Sequence, residues 1–142
     1  MQLQPTFSII TITYNAVRLV EQTLLNVLSQ SYPNIEYIVI DGGSTDGTAD
    51  IIRRYESGLA YWVSEPDKGI YDAMNKGLQK ATGDYVWFIN ATTTFLPSRI
   101  VTRERRDFCF ASKDNKDIRS SHERQRDKSL TVFAICRSRR CS

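Results

Sequence analysis

The chain has 142 residues, which suffices for one compact domain. Hydrophobic residues make up 41% of it and aromatic residues 11%, a content too apolar for a chain that is disordered throughout. No apolar run approaches the ~20 residues of a membrane-spanning helix, and residues 1–6 do not resemble a secretory signal. These features predict a soluble, cytoplasmic protein.

Composition and charge change sharply near residue 96. Residues 1–96 contain six basic and ten acidic residues, a net charge of −4, whereas residues 97–142 contain thirteen and six, a net charge of +7. All seven glycines lie at or before Gly83, while the three cysteines and the single histidine come later. We therefore predict a folded domain over residues 6–96 and a basic, glycine-free tail of irregular structure over residues 97–142.

Four short segments of the folded part are nearly continuous in apolar and β-branched residues, as in strands that helices cover on both faces. They span residues 7–13, 36–40, 60–63 and 85–89. Between them, apolar residues recur at helical spacing and predict three helices. These helices run from Val20 to Ser29, from Ile51 to about Gly58 and from Ile70 to about Thr82.

The third predicted helix has an apolar stripe. Ile70, Met74 and Leu78 share one side of it and are expected to face the core. Gly83 follows the helix and is a candidate for its C-cap.

Strands that alternate with helices of this length favour parallel pairing in an open α/β sheet. Such sheets bind ligands in the crevice beyond the carboxyl ends of their strands. Polar clusters follow all four predicted strands, at residues 13–15, 41–47, 64–69 and 90. The sequence therefore predicts a binding site at this edge of the sheet.

Asp41 ends the second strand, and the glycines after it allow a sharp turn and a close approach to a ligand. Its carboxylate is suited to accept hydrogen bonds from a base or a ribose; the alternative is that Asp41 and Ser44 only form a turn. After the first strand, Thr13, Tyr14 and Asn15 offer an aromatic face and two polar groups, or Asn15 simply caps the next helix.

The segment before and within the third helix is also open to two interpretations. Asp67 is a candidate cap, while Asp72 and Asn75 lie three residues apart and share one helix face. That face either points into the crevice or is solvated. The chain lacks both the G-x-G-x-x-G fingerprint after its first strand and a phosphate-binding P-loop, which excludes those two modes of nucleotide binding.

Taken together, four segments resemble the N-terminal half of a family 2 glycosyltransferase of the GT-A, Rossmann-like fold. They read FSIITITYNA, YIVIDGGSTDGT, SEPDKGIYDAMNKG and ATGDYVWFINA, in that order. The likeness covers about residues 6–91 and is greatest to bacterial enzymes that build cell-surface polysaccharides. It implies an open, mostly parallel sheet with flanking helices, here truncated, and transfer from a UDP-sugar or similar donor to a saccharide or lipid-linked acceptor.

The resemblance also implies the donor site. In the family, the residues after the first strand line the nucleoside pocket. Asp41 stands where a residue bonds the uracil or its ribose, and three further residues stand at the donor edge. The implied nucleotide-binding residues are Thr13, Tyr14, Asn15, Asp41, Asp72, Asn75 and Asn90. The implied reaction is displacement at the anomeric carbon by an acceptor hydroxyl, with a carboxylate base that no context in this chain identifies.

The family's acidic metal motif, D-x-D or N-A-G-D, departs from its pattern here. The chain reads Asn90-Ala91-Thr92-Thr93, so that a neutral threonine stands where the metal-binding aspartate is expected. The family uses Mg²⁺ or Mn²⁺ to offset charge on the leaving diphosphate, and hard cations require charged oxygen ligands. We therefore expect weak metal and diphosphate binding and little or no transfer by this chain.

Three interpretations remain open for the tail. It is a solvated, disordered segment, a basic arm for nucleic acid or anionic lipid, or the product of a shifted frame or truncated gene, which we favour because the change in composition is abrupt. Cys136, Cys141 and His122 lack the spacing of a zinc site.

The rival function is a non-catalytic nucleotide-binding or interaction protein whose basic tail binds nucleic acid or anionic surfaces. We expect no nucleic-acid partner, and we expect a cytoplasmic protein that can associate with the membrane. If the sheet ends at its fourth strand, one edge is left uncovered and favours aggregation.

Overall fold

A computed structural model of the chain describes residues 5–91 and the backbone of residues 133–136. Its strands are β1 (Phe7–Thr13), β2 (Ile35–Asp41), β3 (Tyr61–Ser64), β4 (Tyr85–Asn90) and β5 (Phe133–Cys136). Its helices are α1 (Val20–Leu28), α2 (Thr48–Arg54) and α3 (Ile70–Lys80), and a 3₁₀ turn spans Glu56–Gly58. None of these helices has the length and hydropathy needed to cross a membrane.

The strands form one sheet in the order β3-β2-β1-β4-β5. The first four strands are parallel, and β5 pairs antiparallel with β4. Because parallel strands end at the same edge, the register places the ends of β1, β2 and β3 side by side: Thr13 is opposite Asp41, which is opposite Ser64. The predicted α/β fold is confirmed.

Helices cover both faces of the sheet. Alternate side chains of β1 point to opposite faces, so that Ile9 packs with Leu24 of α1 and Ile52 of α2, whereas Ile10 packs with Met74 of α3. All five side chains are buried. The strands are therefore apolar on both faces, which is why they read as continuous apolar runs in the sequence.

Two details of α3 differ from the sequence prediction. Ile70 is 48% exposed, and the buried face of the helix consists of Ala73, Met74 and Gly77. The helix approaches the sheet so closely that a Cβ on Gly77 would lie 2.5 Å from a methyl carbon of Ile10. The face in contact with the sheet is thus set by small residues, which a search for large apolar side chains overlooks.

Gly83 is not the C-cap of α3. The helix ends at Lys80, and Ala81 after it is already extended. A Cβ on Gly83 would lie 2.6 Å from Ser8 Oγ and 2.8 Å from the Thr6 carbonyl oxygen. Glycine is needed here because the chain passes close to the start of β1.

The strand β5 lies within the region where the sequence predicts an irregular tail. It pairs with residues 85–88 of β4, so this part of the sheet edge, which the sequence analysis left uncovered, has a neighbouring strand. Apart from β5, the tail lies outside the described residues, and so do Thr92 and Thr93.

A carboxylate network closes the amino-terminal edge of the sheet. Glu36 accepts hydrogen bonds from Ser8 Oγ, from Thr82 N (2.8 Å) and from Thr82 Oγ1 (2.9 Å), and Ser8 Oγ in turn accepts one from Gly83 N. Burial acts to raise the pKa of Glu36, but the hydrogen bonds outweigh it, and the pKa lies below its usual value.

We expect Glu36→Gln to lower the free energy of unfolding at pH 7 by about 1 kcal/mol, because a charged acceptor with three donors is lost. The stabilisation by Glu36 is complete above the unfolded-state pKa of ~4.3 and disappears as the pH falls through the lower folded-state value. Urea denaturation at pH 7 and pH 3 should therefore show a smaller acid-induced loss for the variant than for wild type. Glu56→Gln, at an exposed site, is the control, and an equal loss in all three proteins would contradict the role of Glu36.

Candidate functional site

The buried carboxylate of Asp41 lies at the centre of the carboxyl edge of the sheet. It has no exposed surface. Its Oδ1 accepts a hydrogen bond from Ser44 Oγ, and its Oδ2 accepts hydrogen bonds from Ser44 N (2.9 Å) and Ser64 Oγ (2.6 Å). The turn interpretation of Asp41 thus describes its contacts in this structure. A direct bond from Asp41 to a ligand stays a prediction.

Ser44 also connects Asp41 to the loop after β1. Asn15 N donates to Ser44 Oγ at 2.8 Å, and Thr45 N donates to Asn15 Oδ1 at 3.0 Å. Asn15 has a φ of +46°, a left-handed conformation that asparagine tolerates better than most residues. It does not cap α1, whose N-cap is Leu19. Its side chain instead fixes two loops to each other.

A second pair of hydrogen bonds joins the same loops nearer to α2. Ala16 N donates to Thr48 Oγ1 at 3.0 Å, and Val17 N donates to Asp46 Oδ2 at 3.1 Å. Asp46 Oδ1 accepts from both the N–H and the hydroxyl of Thr48. The Thr48 hydroxyl above all, with the backbone donors, lowers the pKa of Asp46. Asp46 therefore forms a turn, and its carboxylate is held in the charged form.

Gly42 forms the part of the crevice between these loops and the loop after β3. A Cβ at this position would lie 2.7 Å from Asp67 Oδ2 and 3.3 Å from Tyr14 Cδ2. Tyr14 is 66% exposed although its neighbours along the chain are held by hydrogen bonds. The nearby Thr13 Oγ1 is buried, and no described residue is its hydrogen-bond partner. The exposed aromatic ring beside a glycine is a candidate contact for a ligand, whereas the unpaired Thr13 hydroxyl lies below the surface.

The loop between β3 and α3 is held from both sides. Glu65 N donates to the Asp41 carbonyl oxygen at 3.0 Å, and Lys76 of α3 forms an ion pair with Glu65 (3.0 Å) and donates to the Pro66 carbonyl oxygen (3.3 Å). The hydrogen bond to Glu65, together with the charges of Glu65, Asp72 and Asp67, raises the pKa of Lys76. Lys76 therefore remains charged and keeps the loop against α3.

Asp72 also contributes to this loop. Its Oδ2 accepts a hydrogen bond from Lys68 N at 3.0 Å and lies 3.7 Å from Lys76 Nζ. Asn75 on α3 and Asn90 at the end of β4 are half-buried. Ligand contacts by these three residues stay predictions.

The structure thus brings Thr13, Tyr14, Asn15 and Asp41 together at one edge, as the sequence pattern predicts. Sequence reasoning paired Ser44 with Asp41 in a turn but missed its bond to Asn15. It also missed Ser64, and it treated Asp67 only as a cap. Asp67 does not cap α3, whose N-cap is Gly69. Its Oδ1 accepts a hydrogen bond from Gly69 N (2.9 Å), and its Oδ2 lies over Gly42. The sequence signal for this contact was Gly42, which follows Asp41 directly and leaves room for the Asp67 carboxylate.

The carboxylates described at this edge do not form a metal-binding cluster. Within residues 5–91, no three His, Cys, Asp or Glu side chains are grouped so as to hold a metal ion. Asn90 is neutral and Ala91 is buried, so the described part of the degraded motif offers no charged oxygen. These residues do not fit a divalent cation, and Thr92 and Thr93 lie beyond the described segment.

Comparison with known proteins identifies close relatives. The family model described as Glycosyl transferase family 2 matches residues 8–102. An uncharacterized glycosyltransferase of Mycobacterium tuberculosis is 43% identical over 104 residues, which cover 72% of this chain and 40% of the relative. The putative teichuronic acid biosynthesis glycosyltransferase TuaG of Bacillus subtilis is 41% identical over 91 residues, which cover 62% and 36%. The chain spans about two fifths of the length of the curated relatives it matches.

Solved structures with the same fold include two glycosyltransferases with nucleotide sugars. The mannosyltransferase PcManGT of Pyrobaculum calidifontis, in complex with GDP-Man and Mn²⁺, is 36% identical with a TM-score of 0.59, over 63% of this chain and 28% of that one. TarS of S. aureus, in complex with UDP-GlcNAc, is 28% identical with a TM-score of 0.55, over 61% and 26%.

We expect Asp41→Asn to lower the free energy of unfolding by about 2–4 kcal/mol, because three donors would then face a neutral amide that accepts through one oxygen only. Urea denaturation at pH 7 measures the change. Asp50→Asn is the matched control, since Asp50 is a solvent-exposed partner of Arg53 on α2 and its loss should cost less than about 0.5 kcal/mol. Equal stability of the two variants would show that Asp41 does not organise the edge.

Proposed function

The chain belongs to glycosyl transferase family 2, and on that premise we propose that its carboxyl-edge crevice binds the nucleoside diphosphate part of a UDP-sugar donor. The observation that carries the proposal is the rim at Gly42. There the exposed Tyr14 ring lies beside Gly42, in a loop that hydrogen bonds between Asn15, Ser44 and Thr45 hold in place. Preorganised loops reduce the entropy lost on binding, so such a rim suits a flat, polar ligand such as a nucleobase.

Tyr14 is proposed to stack against the base, with Thr13 and Asn15 lining the nucleoside pocket. Asp41 contributes mainly by holding Ser44 and Ser64 in place. Asp72, Asn75 and Asn90 are proposed for the edge that receives the rest of the donor. Solved relatives in complex with GDP-Man and UDP-GlcNAc support a nucleotide sugar as the ligand class.

For the acceptor, we propose a saccharide or lipid-linked saccharide of a bacterial surface polysaccharide. The support is the similarity to TuaG, named for teichuronic acid biosynthesis, and to a glycosyltransferase of PGL/p-HBAD biosynthesis. A lipid-linked acceptor would place the protein at the cytoplasmic face of a membrane. In the transfer itself, an acceptor hydroxyl attacks the anomeric carbon, the nucleoside diphosphate leaves, and the hydroxyl proton goes to a base.

Among residues 5–91, no carboxylate can be identified as the base that would take a proton from an acceptor hydroxyl. We therefore propose that this chain binds UDP weakly and transfers little sugar. That expectation agrees with the neutral residues at the metal motif, because uncompensated charge on a leaving diphosphate slows its departure.

Tyr14→Ala tests the proposed pocket. We expect wild type to bind UDP and the variant to bind it about 5-fold or more weakly, because one base-stacking contact is lost. Isothermal titration of the full chain measures both affinities. Leu25→Ala removes an exposed apolar side chain from α1 and should leave the affinity unchanged. The proposal is wrong if wild type binds no nucleotide, or if Tyr14→Ala and Leu25→Ala bind UDP equally well.

Thr93→Asp tests the degraded metal motif. In wild type we expect Mn²⁺ to change the UDP affinity by less than about twofold, since no carboxylate stands at this position. In the variant, Mn²⁺ should strengthen UDP binding by about tenfold. Titrations with Mn²⁺ and with EDTA measure the difference, and Thr93→Asn serves as the neutral control. A strong Mn²⁺ effect in wild type would contradict the expected weakening.

A further inference from the structure

We propose that Asp67 selects the nucleobase, so that the crevice accepts bases with a protonated ring nitrogen on the pairing edge, namely uracil (N3–H) and guanine (N1–H), in preference to cytosine and adenine. This inference rests on the proposed function and goes beyond it by naming the residue that discriminates among nucleotides. It reassigns the base-reading carboxylate from Asp41, where the sequence pattern placed it, to the loop after β3.

Asp41 is badly placed to read a base. Its side chain is 0% exposed, and both carboxylate oxygens already accept hydrogen bonds from Ser44 and Ser64. A base could reach Asp41 only if the turn at Ser44 opened and the bond between Ser44 and Asn15 broke. Another acceptor at the rim is needed.

Asp67 meets that need. Its Oδ1 accepts a hydrogen bond from Gly69 N at 2.9 Å, which fixes the orientation of the carboxylate. Its Oδ2 lies over Gly42, 2.7 Å from the position that a Cβ would take. Among residues 5–91, none donates a hydrogen bond to this Oδ2. Asp67 is half-buried, so the free oxygen is partly shielded from water yet open towards the crevice.

The loop that carries Asp67 is fixed on both sides. Glu65 is bonded to the Asp41 carbonyl oxygen, and Lys76 holds Glu65 and Pro66 against α3. Gly43, with a φ of +80°, lies so close to Pro66 that a Cβ would be 3.0 Å from the proline nitrogen. The fold therefore fixes the position of the Asp67 carboxylate. A residue that discriminates among bases needs such a fixed position.

Tyr14 supplies the geometry for a base. Its Cδ2 lies 3.3 Å from the same hypothetical Cβ of Gly42 that Asp67 Oδ2 approaches. An aromatic ring and a carboxylate oxygen thus border one glycine. A base stacked on Tyr14 above Gly42 would turn one of its edges towards Asp67 Oδ2.

A carboxylate is an acceptor only, so the edge it meets must donate. Uracil offers N3–H, and guanine offers N1–H together with its amino group. Cytosine and adenine place an unprotonated ring nitrogen at the corresponding position, where its lone pair would face the carboxylate. A bound base would cut the half-buried Asp67 oxygen off from water, so ligands that leave it unpaired bind less well, which predicts a preference for UDP and GDP over CDP and ADP.

Titration of the full chain with UDP, GDP, CDP and ADP tests the proposal, with Asp67→Asn as the decisive variant. We expect wild type to bind UDP and GDP about tenfold or more tightly than CDP and ADP. The asparagine amide both donates and accepts, so the variant should bind CDP within about threefold of UDP. The readout is the CDP-to-UDP affinity ratio, because the loss of one negative charge from the site acts on the diphosphate of both ligands alike.

Asp50→Asn removes the same charge from the exposed face of α2 and should keep the wild-type ratio. Thermal unfolding of each variant checks that it is folded. If Asp67→Asn is not folded, Asp67→Ser replaces it and should likewise lose the discrimination between CDP and UDP. If wild type binds none of the four nucleotides, both the proposed function and this inference fail. If wild type binds UDP but does not discriminate, or if Asp67→Asn keeps the wild-type ratio, only the role of Asp67 is overturned.

Discussion

One buried carboxylate sets the geometry of the whole carboxyl edge. Asp41 ends a central strand with no exposed surface, so its charge must be balanced by hydrogen bonds from the protein. Ser44 and Ser64 provide them, and these two serines connect β2 to the turn after it and to β3. Because Ser44 also holds Asn15, the loops after three strands adopt a single mutual arrangement. The protein's own hydrogen bonds thus set the positions of these loops.

The fold could be predicted because its strands are buried on both faces, so that apolar runs mark them without ambiguity. The edge residues followed from the parallel order, since parallel strands place their ends together. What the sequence did not reveal depends on short-range packing. Gly77 and Gly83 are small because another segment passes within contact distance, and nothing in their immediate neighbours predicts that. The strand β5 is separated from β4 in sequence by more than forty residues, and its four residues show no alternation.

For the site, sequence patterns identified the cluster of residues, and the structure adds how the acids within it differ in their hydrogen bonds. Asp41 and Asp67 are both aspartates near glycines, and only their surroundings distinguish them. One is enclosed by two serines, while the other keeps an oxygen directed over Gly42 beside Tyr14. Asp46 resembles Asp41 in this respect, because both of its carboxylate oxygens accept hydrogen bonds, from Val17 N and from the Thr48 hydroxyl. Hydrogen-bond satisfaction, rather than residue type, indicates which acid is available to a ligand.

The most direct test of the account is a titration of the ¹⁵N-labelled full chain with UDP, followed residue by residue in amide NMR spectra. The account predicts that the chemical shift changes concentrate in residues 13–17, 41–48 and 64–69, the three loops at the carboxyl edge. Amides of Ser8, Glu36 and Thr82, at the opposite edge, should remain unaffected. Shift changes centred on that opposite edge, or none at saturating UDP, would contradict the account.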